Sequence, residues 1–127
     1  MRALVVDDSR AMRSIIRRHL DELGVVVDEA ASGADALFVL HHVPRPDVVL
    51  LDWNMPDMNG LECLRRLRAD PEREGIAVMM VTTESEMAQV ALALEAGANE
   101  YLMKPFDRQG LLEKLLLIGL DPRAEAA

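Results

Sequence analysis

A single cysteine, Cys63, excludes an internal disulfide and fits a reducing compartment. His19, His41, His42 and Cys63 show no metal-ligand spacing, and ordinary packing or surface roles account for them. No apolar run approaches the ~18 residues of a membrane helix, because Arg, Asp, Glu or Lys interrupts each one early. No signal-peptide pattern precedes the strand-like run that follows Met1 and Arg2. Positive charge is scarce too: 14 Lys and Arg face 22 Asp and Glu, a net charge of −8 that argues against direct nucleic-acid binding. A soluble, cytoplasmic protein with neither nucleic-acid nor membrane partner is expected. There is no linker or low-complexity segment, and 127 residues fit one domain with a real core.

What the chain does have centres on residues 48–56, where Val48, Val49, Leu50 and Leu51 run directly into Asp52 and then into the turn residues Asn54 and Pro56. A short apolar run bounded by turn signals reads as a strand buried on both faces, as in a parallel sheet. Asp52 then stands at the carboxyl end of a core strand, the edge where open α/β sheets bind ligands.

The rest of the chain repeats that unit. Ala3 to Val6 is an apolar run ending in Asp7 and Asp8, and Ser9 caps a helix with Met12, Ile15, Ile16, Leu20 and Leu23 on one stripe, stopped at Gly24. Val25 to Val27 begins a second strand. Ser32 opens a helix through Ala36, Leu37, Val39 and Leu40 that Pro44 and Pro46 end. Leu61, Leu64 and Leu67 mark a third helix, and residues 70–75 a polar loop. Ile76 to Val81 is a buried strand ending at Thr82 and Thr83; Ser85 or Glu86 starts a helix that Gly97 terminates. Asn99 to Met103 is the fifth strand, ending at Lys104 and Pro105, a bond where a cis peptide is considered. Asp107 caps a last helix carrying Leu111, Leu112, Leu115, Leu116 and Ile118. Arg17, Arg18, Arg65, Arg66 and Arg68 read as solvated helix faces. One domain is expected over residues 1–120, with a frayed tail at 121–127. Strict strand-helix alternation predicts an α/β fold: a five-stranded parallel sheet with helices on both faces and right-handed crossovers.

In such a sheet all carboxyl ends share one edge, so Asp7, Asp8, Asp52, Thr82 and Lys104 converge. Each has an ordinary explanation alone, as cap, strand residue or solvated lysine; the coincidence on one edge carries the argument. Three neighbouring carboxylates raise one another's pKa unless positive charge intervenes. A hard divalent cation, Mg2+, held by carboxylates, a backbone carbonyl and waters answers that need. With Lys104 as a point charge and Thr82 as a hydroxyl donor, the set suits a carboxylate that attacks a phosphoryl group in line.

The segments LVVDDS at 4–9, LLDWNMPDMNGLE at 50–62, VTTE at 81–84 and YLMKPF at 101–106 resemble the receiver domains of two-component response regulators, more narrowly the CheY-like receivers of chemotaxis. The likeness spans residues 2 to about 119 and brings with it a doubly wound flavodoxin-like strand order of 2-1-3-4-5. It implies that Asp52 accepts a phosphoryl group from a sensor histidine kinase or a phosphotransfer protein. It further implies that Asp8, Asp52 and the Asn54 carbonyl hold Mg2+, with Asp7 orienting a metal-bound water, and that Lys104 pairs with the phosphoryl group. Thr82 and Tyr101 would be the switch that remodels the surface of the fourth helix, fifth strand and fifth helix for a target protein. Asn54 and Glu84 would tune hydrolysis, giving a short-lived signal. Such a protein is no enzyme beyond its own phosphoryl transfer and dephosphorylation. Thr83 departs from the small residue usual at its position, and slower transfer is expected from it.

Competing functions are weaker. A Mg2+-dependent aspartyl-phosphate phosphatase of the haloacid dehalogenase type needs a D-x-D motif at the first strand and a cap insertion, and neither is present. A flavodoxin-type nucleotide binder needs Gly, Ser or Thr donors after the first strand, where Asp7 and Asp8 repel phosphate without a metal. Within the regulator reading, a phosphate sink, a relay intermediate or a receiver fragment of a larger regulator would look alike. Surplus apolar surface over Met87 to Ala96, with Leu117 and Leu120, suggests a face for a partner or for a second copy in a homodimer.

Overall fold

The computed structural model describes residues 1–124. Strands β1 (Arg2–Val6), β2 (Val26–Ala30), β3 (Val48–Asp52), β4 (Ala77–Thr82) and β5 (Glu100–Met103) alternate with helices α1 (Arg10–Glu22), α2 (Gly33–Leu40), α3 (Gly60–Ala69), α4 (Val90–Glu95) and α5 (Arg108–Leu117). Every strand pairing is parallel and the order is β2-β1-β3-β4-β5, the predicted arrangement.

Successive strand side chains alternate between two buried faces, which is why these strands are continuous apolar runs. Leu4, Val6, Val49, Leu51 and Met80 point to one face and pack with Ala36, Leu64, Leu67 and Ala93 of α2, α3 and α4. Ala3, Val5, Val48, Leu50, Met79 and Val81 point to the other and pack with Ile16, Leu20, Leu111 and Leu115 of α1 and α5. Each fully buried Leu, Ile, Val or Met contributes roughly 1.5–3 kcal/mol.

Helix starts follow local chemistry. Ser9 Oγ accepts from the Met12 amide, Ser32 Oγ from Asp35, Asn59 Oδ1 from Glu62 and Asp107 Oδ1 from Gly110, at 2.7–3.2 Å. Each such cap is worth about 1 kcal/mol. Gly24 follows α1 with φ of +79°, the left-handed conformation that leaves a helix most cheaply for glycine.

Several expectations need correction. The helix expected from Ser85 or Glu86 is a 3-10 helix over Glu84–Gln89 starting from Thr83, followed by the short α4. Its first turn tightens because the Glu86 amide bonds the Thr83 carbonyl, three residues back. The polar loop at 70–75 contains a 3-10 turn, Pro71–Arg73. Helix α2 stops at Leu40, capped by His41, before either proline. Ile15 and Leu116 face solvent, whereas Leu120 packs against the core. Arg68 is no solvated residue. Its guanidinium donates to the carbonyls of Gly97, Arg73 and Glu74 and to Asn99 Oδ1, and burial lowers its pKa. Residues 121–124 form a turn with Pro122 buried, where fraying was expected; 125–127 lie outside the described residues.

Candidate functional site

Parallel pairing aligns the strand ends. Val6 pairs with Leu51, Asp52 with Val81 and Thr82 with Met103, so Asp7 and Asp8 leave β1 beside Asp52, and Lys104 leaves β5 on the same edge. The carboxylates of Asp7, Asp8 and Asp52 each offer an oxygen within 4.8 Å of the others. Lys104 Nζ donates to Asp52 Oδ1 at 3.1 Å and lies 3.5 Å from Asp7 Oδ2. The Lys104–Pro105 peptide is cis.

Backbone ties hold this arrangement. Asp7 is 1% exposed; its Oδ1 accepts from the Ser9 amide at 2.8 Å, while Arg13 Nη1 donates to its carbonyl at 2.7 Å. Arg13 was invisible in sequence, where it reads as one more helix arginine. Beyond Asp52, the Gly60 amide bonds the Trp53 carbonyl at 2.9 Å, and a Cβ on Gly60 would stand 2.4 Å from the Asp52 carbonyl oxygen. Only glycine lets α3 start this close to the strand end. Between them Asp57 takes φ of +67°, a conformation that Asp tolerates better than most residues.

Asp52, 5% exposed, has its carboxyl pushed up to about 6, first by burial and then by the negative charge of Asp7; Lys104 opposes the shift, and Asp8 adds a smaller upward push. Burial works against the Lys104 ammonium, but its hydrogen bonds and attraction to Asp52 and Asp7 outweigh that and hold its pKa above the ordinary lysine value. The site therefore concentrates more negative charge than its lysine balances. Hard carboxylate oxygens brought this close suit a hard divalent cation such as Mg2+, and no other cluster of three His, Cys, Asp or Glu among the described residues brings ligand atoms together. Cys63, by contrast, is buried, its thiol pushed up to about 11 by desolvation, and inert.

Asp7, Asp8, Asp52, Asn54 and Lys104 line one cleft of about 490 Å3, together with Ser9, Thr83, Ser85 and Glu86. The other predicted site residues stand outside it. Thr82 is fully buried, and its hydroxyl donates to Met87 Sδ at 3.7 Å, so it ends the right strand without lining the cleft. Glu84 is exposed on the 3-10 helix, and the acidic residue of that segment that does line the cleft is Glu86. Tyr101 is half-buried on β5, its ring 4.1 Å from the Lys114 ammonium. Exposed apolar side chains also stand on these last elements: Leu92 and Leu94 on α4, Met103 on β5, Leu116 and Leu117 on α5.

Known proteins share this chain's sequence and shape. It is 47% identical over 116 residues to a chemotaxis protein CheY homolog of Campylobacter jejuni, covering 91% of this chain and 89% of that one. It is 45% identical over 119 residues to chemotaxis protein CheY1 of Helicobacter pylori, covering 93% and 96%. Chemotaxis protein CheY4 of Vibrio cholerae superposes with a TM-score of 0.85 at 32% identity, over 92% of this chain and 97% of that one. The model of the response regulator receiver domain matches residues 3–116, a span that holds all five strands but for Arg2 at the start of β1, and every residue of the acidic cleft. The chain belongs to the response regulator receiver domain family.

Proposed function

We propose that this protein is a phosphorylation-activated response regulator in which Asp52 takes a phosphoryl group from the phosphohistidine of a sensor kinase or phosphotransfer protein. The observation that carries this is one nearly buried carboxylate with a lysine ammonium at 3.1 Å and two further carboxylates beside it, at the strand-end edge of a receiver fold. Asp7, Asp8, Asp52 and the Asn54 carbonyl are the groups that would hold Mg2+. When bound, the cation supplies positive charge against the phosphoryl oxygens and relieves repulsion among the carboxylates. An Asp52 oxygen forms the bond to phosphorus while the bond from phosphorus to the donor imidazole nitrogen breaks, its electron pair leaving with the imidazole. Lys104, already aimed at Asp52, remains to pair with the transferred group.

The switch follows from what Thr82 has now. Its hydroxyl is bonded to a thioether sulfur, a weak acceptor, so a phosphoryl oxygen is a better partner for the same proton. Movement of Thr82 changes the packing around Met87 and Tyr101, and through them the exposed face of α4, β5 and α5, which we assign to a downstream target or a second copy of the chain. Asn54, which lines the cleft, would flank the phosphoryl group, and Glu84, exposed at the start of the 3-10 helix outside the cleft, would tune its hydrolysis from there. The names of the relatives support chemotaxis as the pathway.

Transfer tests this reading. A phosphorylated histidine phosphotransfer domain mixed with this chain and Mg2+ loses its label as the chain gains it, and Asp52→Asn gains none. Steady turnover of small phosphate esters by the chain, with no transfer from phosphohistidine, would instead support the phosphatase alternative.

A further inference from the structure

Thr83, Ser85 and Glu86 line the same cleft as Asp52, and they are tied to one another. Glu86 Oε1 accepts from the Thr83 amide at 2.8 Å and from the Thr83 hydroxyl at 3.0 Å. With its only proton given to Glu86, the Thr83 hydroxyl accepts from Ser85 Oγ at 3.0 Å. This is the reach-back half of a capping box, and alone it is a device for starting the 3-10 helix. Its position gives it a second consequence. Both donors of a cleft-lining residue are engaged by an anion, and that anion is a fourth carboxylate on a cleft that already holds three.

We propose that Glu86 is a positioning and specificity residue that regulates entry of anionic phosphoryl groups. Resting on the reading of Asp52 as the phosphoryl acceptor, this assigns Glu86 two effects with one direction. Its charge repels an incoming dianionic donor, and its grip on Thr83 keeps both donors of that residue, the N–H and the O–H, from the incoming phosphoryl group. Small free donors, which bring no protein surface to offset the repulsion, feel it most. The residue therefore favours a protein donor over free acyl phosphates.

Glu86→Gln separates charge from shape, since the amide oxygen still accepts from Thr83 while the negative charge is gone. Phosphorylation of full-length wild type and Glu86→Gln by acetyl phosphate in Mg2+ is followed by intact mass at ionic strengths from ~0.01 to ~1 M, where the screening length falls from about 30 to about 3 Å. The variant is expected to react about three- to tenfold faster at low salt, with the ratio shrinking toward one at high salt, and to unfold at the wild-type temperature. A purely structural cap would give a ratio that does not depend on salt. An unchanged ratio of one, with wild type labelled at Asp52, overturns this inference and leaves the receiver chemistry intact. A wild type that takes no label from any phosphodonor overturns both.

Discussion

Asp52 and Lys104 set the chemistry, and their charges make it depend on pH. A carboxyl raised from 3.8 to about 6 holds its proton more tightly folded than unfolded, so its ionisation opposes folding. Without metal, the contribution is absent below about pH 4, grows as pH rises to about 6 and is constant above. Asp52→Asn should therefore raise the thermal midpoint of the metal-free protein at pH 7 but not at pH 4, as read by calorimetry in chelator. Cation binding needs the ionised carboxylate, so Mg2+ affinity should fall about tenfold per pH unit below pH 6. The emission of Trp53, next to Asp52 and the only tryptophan, reports that titration. Lys104→Met leaves two buried carboxylates without their cation. We expect the metal-free variant to lose roughly 1–3 kcal/mol in urea unfolding, with part regained in Mg2+, and phosphorylation to slow by at least ~100-fold.

At the scale of elements, the site depends on how closely α3 approaches the end of β3. Gly60→Ala forces a Cβ toward the Asp52 carbonyl, and about 1–3 kcal/mol of stability should be lost, with slower phosphorylation. Arg68 joins α3 to the segments before β4 and β5; Arg68→Ala should cost about 1–3 kcal/mol in denaturant unfolding with no change in Mg2+ affinity. These two residues show what was legible in the chain. The strands and their ends were, because runs such as Val48 to Leu51 stop at a charge, and parallel connectivity then brings Asp7, Asp52 and Lys104 together without further information. Gly60 was visible only as a loop glycine, and Arg68 only as one of several helix arginines, because their partners are 29 or more residues away or lie on the backbone. The start of the 3-10 helix was misplaced for a related reason: Ser85 or Glu86 reads as the start, whereas the reach of Glu86 back to the Thr83 amide sets it at Thr83. Thr82 was placed at the right strand end, but strand position alone does not say that its hydroxyl turns to Met87.

Across the whole molecule, the proposed phosphorylation at one edge is to be read at the proposed target face of α4, β5 and α5. To carry a two-state switch from 1:99 to 99:1, the phosphoryl group must favour the active arrangement by ~5.5 kcal/mol. Light scattering with and without a beryllofluoride phosphoryl mimic checks what the exposed Leu92, Leu94 and Leu117 meet: a dimer that appears only with the mimic assigns the face to a second copy, and a monomer in both states leaves it to another protein. All of this depends on Asp52 carrying the phosphoryl group. The direct test is peptide-resolved mass analysis after reaction with phosphoramidate, comparing Mg2+ with chelator. The account predicts a single phosphoryl adduct, confined to the peptide that contains Asp52 and absent in chelator; an adduct on another residue, or one that forms equally without Mg2+, contradicts it.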